Sequence, residues 1–142
     1  MRIRAILGVL AIGAVCVGCR ATDSTAPSAE QVSVLVRSGS VPTAGAILPL
    51  ELINSSSATL GYNLCTNGRL ERLLGGQWAL VDMSERVCTL ELRILAATTR
   101  RDEGYRLPTT LQAGTYRLVV KFTPESAGAR AVNASTVPFT LP

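Results

Sequence analysis

Tyr116-Arg117-Leu118-Val119-Val120-Lys121-Phe122 is the clearest alternation in the chain, and it decides the fold class. In an extended chain successive side chains point to opposite faces, so Tyr116, Leu118, Val120 and Phe122 share one face. A period of two predicts a strand with one side buried. The same period recurs outward from this run. Val32, Val34 and Val36 line one strand, and Leu48, Leu50 and Leu52 a second. Leu60, Tyr62 and Leu64 alternate with Gly61 and Asn63 in a third that ends at Cys65. Residues 70–74 and 77–81 flank Gly75-Gly76, a two-residue loop whose permissive backbone suits a tight hairpin, with Trp78 on the return strand. Leu90, Leu92 and Ile94 are expected to point one way in the next strand, with Glu91 and Arg93 pointing the other. A short strand is expected near residues 104–107 and a last one over 136–141.

No stretch keeps a helical period over a capped helix length. About seven strands at turn spacings of about ten residues predict an all-β antiparallel sandwich of two layers over residues 31–142. Pro49 and Pro138 fall inside strand patterns. Proline has no N–H to give to a ladder, so their strands are expected at sheet edges or bulges.

The first residues follow a different logic. Arg2 and Arg4 precede residues 5–17, which are small or apolar and uncharged, the layout of an export signal. At about 13 residues the run is shorter than the roughly 20 needed to cross a bilayer. Cys16-Val17-Gly18-Cys19 resembles the bacterial lipobox, with Cys16 where that family usually has Leu. The resemblance implies removal of residues 1–18 and acylation of Cys19 by palmitate-like chains, which tether the protein to a membrane. Arg20 stands where an aspartate commonly retains such proteins at the inner membrane, which implies the outer membrane of a bacterial cell envelope. Residues 20–30 contain no large apolar side chain and are expected to form a flexible tether. The expected organisation is a signal peptide (1–18), a lipidated cysteine with its tether (19–30) and one sandwich domain (31–142).

Leu111-Gln112-Ala113-Gly114-Thr115-Tyr116 matches the Leu-x-x-Gly-x-Tyr signature that introduces a late strand in immunoglobulin-like and fibronectin type III sandwiches. Gly114 permits the bend, and Tyr116 can lay its ring on the core while its hydroxyl bonds back to the preceding loop. With Gly61-Tyr-Asn-Leu-Cys65, Gly76-Gln-Trp78 and Val87-Cys88, residues 31–141 resemble the bacterial immunoglobulin-like domains of small exported lipoproteins. They are similar, more distantly, to the BsuPI type of proteinase inhibitor. The resemblance implies a sandwich and, for most such domains, no assigned activity. Leu118 stands where an antibody domain carries a bridging cysteine, so antibody-like recognition does not follow.

Composition narrows function. The 142 residues contain no histidine, so the commonest general base and metal ligand are missing. The net charge of +4 includes Arg2 and Arg4 of the leader, too weak a balance for a nucleic-acid binder. There is no Gly-x-Ser-x-Gly elbow, no phosphate-cradling loop and no paired nucleophile and base, so no catalytic residues, metal site or cofactor are expected.

Cys65 and Cys88 remain once Cys16 is cleaved and Cys19 acylated, an even pair in an oxidising compartment. A disulfide between them would close a loop of about 24 residues and add roughly 3 kcal/mol. Two free thiols, or metal ligation, are the alternatives. Trp78 beside Gly75-Gly76 is a candidate partner contact, set against packing into a core or on the disulfide. Arg69, Arg72, Arg86, Arg93, Arg100, Arg101 and Arg106 could meet anionic lipid or lipopolysaccharide. Interleaved acidic residues favour a mixed-charge solvated surface instead. The functional expectation is a membrane-anchored, non-catalytic binding or accessory module for an envelope protein or glycan. Its alternatives are a proteinase inhibitor acting through a protruding loop, with Cys88 stiffening residues 84–87, and a structural envelope protein.

Overall fold

The computed structural model describes residues 27–37, 39, 41–83 and 86–142. Ordered structure starts ahead of Gln31. Pro27 is buried, and Ala29–Gln31 form a 3-10 turn in which Gln31 Oε1 accepts the Ser28 backbone N–H at 2.9 Å.

Ten antiparallel segments follow: β1 (Val32–Val36), β2 (Ile47–Asn54), β3 (Leu60–Tyr62), β4 (Gly68–Leu74), β5 (Gln77–Leu80), β6 (Arg93–Leu95), β7 (Arg100–Arg106), β8 (Gly114–Pro124), β9 (Val132–Ser135) and β10 (Phe139–Leu141). They make two sheets in a sandwich-like arrangement. One runs β1-β2-β7; the other runs β5-β4-β8-β3-β6, with β9 and β10 also paired to β8. The segment that the sequence did not suggest is β9, ahead of the last expected strand; β3 with β4, and β9 with β10, each lie in succession along β8. β3 and β4 pair antiparallel with β8 at residues 123–124 and 116–120, and the chain between them makes an excursion closed by Asn67 N–H to Asn63 O at 2.7 Å. β9 and β10 likewise follow β8 in succession, separated by residues 136–138. There the Thr136 hydroxyl accepts the Leu118 N–H at 3.0 Å, standing in for a backbone carbonyl.

The core lies between the sheets. Val32, Val34, Leu48, Leu50, Leu52 and Tyr105 come from the smaller sheet. Leu60, Tyr62, Leu70, Tyr116, Leu118, Val120 and Phe122 come from the larger. The alternation that set the fold class holds at β8, where Tyr116, Leu118, Val120 and Phe122 are all buried. Each fully buried Leu or Phe contributes roughly 1.5–3 kcal/mol relative to exposure. The corner before β8 forms as its residues predict: Tyr116 Oη donates to Gln112 O at 2.7 Å, and Gly114 takes φ +154°.

Four expectations need correction. Leu90, Leu92 and Ile94 are exposed, and Leu95 is the buried residue of β6. β6 keeps only residues 93–95, so Leu90 and Leu92 lie outside any ladder, and Ile94 takes the face opposite that of Leu95. This choice of face is set by β3, whose buried Leu60 stands opposite Leu95. The strand expected near 104–107 extends over Arg100–Arg106, because its first half presents charge rather than apolar residues. Pro49 is in the central strand of its sheet, not at an edge. Its carbonyl accepts from Arg37 N–H at 3.0 Å, so its missing N–H faces the point where β1 stops, and no bond to β7 is lost. Pro138 lies between β9 and β10, which shortens the last strand to Phe139–Leu141.

Candidate functional site

Cys65 sits in the excursion between β3 and β4, and it is joined to Cys88 by a disulfide with Cα atoms 5.5 Å apart. Cys88 belongs to residues 86–92, a stretch with no partner strand that runs toward β6. A polypeptide without a ladder needs other partners for its backbone. For the carbonyls of residues 89 and 91 they come from one side chain. Asn63 Nδ2 donates to Thr89 O and to Glu91 O, each at 2.8 Å. Asn63 Oδ1 accepts from Cys65 N–H at 2.8 Å and Thr66 N–H at 3.1 Å. Both donors and both acceptor positions of this buried amide are in use, which fixes its orientation.

The bracing leaves the side chains outward. Val87 is 95% exposed, Leu90 93% and Leu92 64%. They stand among other exposed apolar residues of the surface, such as Val137 and Leu80, but here three occur within six residues on a backbone that is itself held. The Glu91 carboxylate lies 3.6 Å from Arg93 Nε, and Arg93 also bonds Glu103, which continues the bracing into β6 and β7. Beneath the segment is a polar cavity of about 190 Å³ lined by Asn63, Arg86, Thr89, Arg93 and Glu103, among others.

Behind the disulfide, the Arg86 guanidinium lies 4.4 Å from the centre of the Tyr105 ring, and Tyr105 Oη donates to Met83 Sδ at 3.4 Å. Burial raises the Tyr105 phenol above its ordinary value, with Arg86 opposing. Tyr62 is raised further, by burial first and then by its hydrogen bond to Glu103.

The expected site residues fall in different places. Cys19 and the leader lie outside the described residues, as do Ser84 and Glu85 of the segment expected to be stiffened by Cys88. The residues that follow the bridge are held by Asn63. Gly75 and Gly76 take φ +57° and +84° at the hairpin tip, far along β4 and β5 from the disulfide. Trp78 is neither in the core nor against the disulfide. It is half-buried on the outer face of β5, beneath the Arg117 guanidinium 4.4 Å from its ring centre. Its register with Leu73 gives the reason: both lie on the face opposite that of Leu70, which is buried. Leu111, Gly114 and Tyr116 form the corner and serve the fold.

Of the seven arginines, Arg86, Arg93 and Arg106 line one cavity. Arg93 and Arg101 pair with Glu103, Arg100 with Glu51, and Arg72 caps Gln112 and Ala113 O. Among the described residues no three His, Cys, Asp or Glu side chains group as a metal site. Asn63, Thr89, Leu90 and Leu92 were not singled out as site residues from the sequence. The available signal was Asn63-Leu64-Cys65, an amide two residues from a bridging cysteine, but its reach to residue 89 is a tertiary fact. A scan against protein-family models matches none of them, and a search of curated proteins finds no match.

Proposed function

We propose that this chain is an exported, non-catalytic proteinase inhibitor, tethered to the bacterial envelope through an acylated Cys19, that acts through residues 87–92. The observation that carries the reading is the single amide of Asn63 bonded to the carbonyls of Thr89 and Glu91 beside the Cys65–Cys88 bridge. A proteinase binds its substrate as an extended strand, and a flexible segment loses entropy on binding. A segment whose carbonyls are already held, with its apolar side chains exposed, avoids part of that cost and resists the movement that would let cut ends leave.

A second reading has its own observation. Leu73 and Leu80 are exposed on the outer face of the β4–β5 hairpin, beside half-buried Trp78, which suits an accessory contact with an envelope protein.

The test uses the full-length chain extracted from membranes in detergent and titrated against serine, cysteine, aspartic and metallo-endoproteinases. Stoichiometric inhibition of at least one class is expected. Inhibition of none overturns the proposal.

A further inference from the structure

Resting on the inhibitor reading, we infer that the target is a serine endoproteinase with an apolar specificity pocket, that Leu90 fills this pocket, and that Leu90–Glu91 is the bond presented for attack. Three exposed apolar residues are available, and only one is bracketed. Asn63 holds the carbonyl of the residue before Leu90 and that of the residue after it, each at 2.8 Å. With its neighbours pinned toward the body, Leu90 projects, at 93% exposure. In serine proteinases one pocket, filled by the residue whose carbonyl is attacked, sets specificity, and a single projecting side chain matches that logic. A leucine suits an apolar slot and not the acid-based pocket that selects Lys or Arg. Val87 on one side and Leu92 on the other extend the apolar contact, while Thr89 between them is small.

The enzyme's serine Oγ adds to the carbonyl carbon of Leu90, and its proton passes to the enzyme's histidine. The Leu90–Glu91 C–N bond breaks, the histidine proton goes to the Glu91 nitrogen, and Leu90 is left as an ester on the enzyme. In an ordinary substrate the amine diffuses away. Here Asn63 keeps Thr89 and Glu91 together, and the amine stays within reach of the ester. Its attack re-forms the amide and returns the proton through histidine to serine. Proximity of this kind favours rejoining over hydrolysis by a large factor. When water does attack the ester, the products are a Leu90 carboxylate and a Glu91 ammonium, one water heavier than the intact chain. Both cysteines precede the cut, so no covalent link joins the halves, which are then held by the shared core and by sheet pairing, chiefly β2 with β7 and β4 with β8. Asn63 is a positioning residue: it touches neither the enzyme's serine nor the attacked carbon.

The experiment titrates chymotrypsin, subtilisin and trypsin with the full-length chain and three variants. Chymotrypsin and subtilisin should be inhibited, and trypsin should not. Leu90→Gly should weaken that inhibition by about 30-fold or more, the loss expected for a buried interface anchor. Leu90→Lys should transfer inhibition to trypsin. Asn63→Asp keeps the acceptors for Cys65 and Thr66 but lacks the donors. It should be clipped at Leu90–Glu91 at least about 10-fold faster, with Trp78 emission unchanged to show that the fold persists. Clipping is read as two fragments in denaturant without reduction. Undiminished inhibition by Leu90→Gly overturns the assignment of Leu90 while leaving an inhibitor. Inhibition of none of the three, with inhibition of a cysteine, aspartic or metallo-enzyme in the wider panel, overturns this inference and leaves the inhibitor reading. Rapid cutting without inhibition, or no effect on any proteinase, overturns both this inference and the inhibitor reading.

Discussion

The Tyr62 hydroxyl donates a 2.6 Å hydrogen bond to Oε1 of Glu103, joining β3 of one sheet to β7 of the other. Arg93 and Arg101 bond the same carboxylate, so a side chain that is only 5% exposed has its charge matched from three directions. Burial and this bond hold the Tyr62 phenol protonated well above its ordinary 10, and burial does the same to Tyr105. In the unfolded chain both ionise near 10. Above about pH 10 the folded chain therefore binds more protons than the unfolded one, and stability falls as pH rises. Below that pH this contribution is fully present. A urea midpoint that is flat from about pH 7 to 9 and declines above 10 is expected, with a shallower decline in Tyr62→Phe. A midpoint unchanged through pH 11 contradicts it.

Opening the Cys65–Cys88 bridge should cost about 3 kcal/mol through the denatured state. The disulfide lies outside the core cluster, so a Cys65→Ser, Cys88→Ser double variant should keep its β-sheet circular dichroism. Its urea midpoint should fall without a large change in slope. A double variant that is unfolded in buffer would place the bridge within the core's stability rather than beside it.

Tyr116→Phe removes the hydroxyl that Gln112 O accepts and leaves the ring packing intact. A loss of about 1–2 kcal/mol is expected, since a partly buried carbonyl is left without this donor. Hydrogen exchange should quicken first in residues 112–115. An equal loss with exchange unchanged there would show that the corner is not what the hydroxyl holds.

The anchor is checked by mass. Membrane-extracted protein should begin at Cys19 and carry a diacyl or triacyl mass, gaining two protons on reduction of Cys65–Cys88. Cys19→Ala should release the chain from membranes. A soluble, unmodified wild-type chain with a different N-terminus is the contrary result.

Local periodicity at residues 116–122 was enough to specify β8 and an all-β class, because the two faces of a strand are written in alternate residues. Gly75-Gly76 specified a hairpin and Leu111 to Tyr116 a corner for the same reason: the interacting groups are a few residues apart. The pairing of Cys65 with Cys88 followed from counting cysteines once Cys16 and Cys19 were assigned to the leader and anchor. Tertiary structure decided the rest. That only residues 93–95 pair, with Leu95 turned inward, depended on Leu60 lying opposite Leu95, and Pro49 fitted a central strand only because β1 ends beside it. Trp78 faces outward because β5 takes its register from β4. The braced segment was illegible for a further reason. Its exposed Leu90 and Leu92 carry the same alternation as a buried strand, and only the reach of Asn63 across 26 and 28 residues of chain separates a core face from a presented one. Sequence alternation records that two faces differ; which of them meets solvent is set by what the fold places opposite.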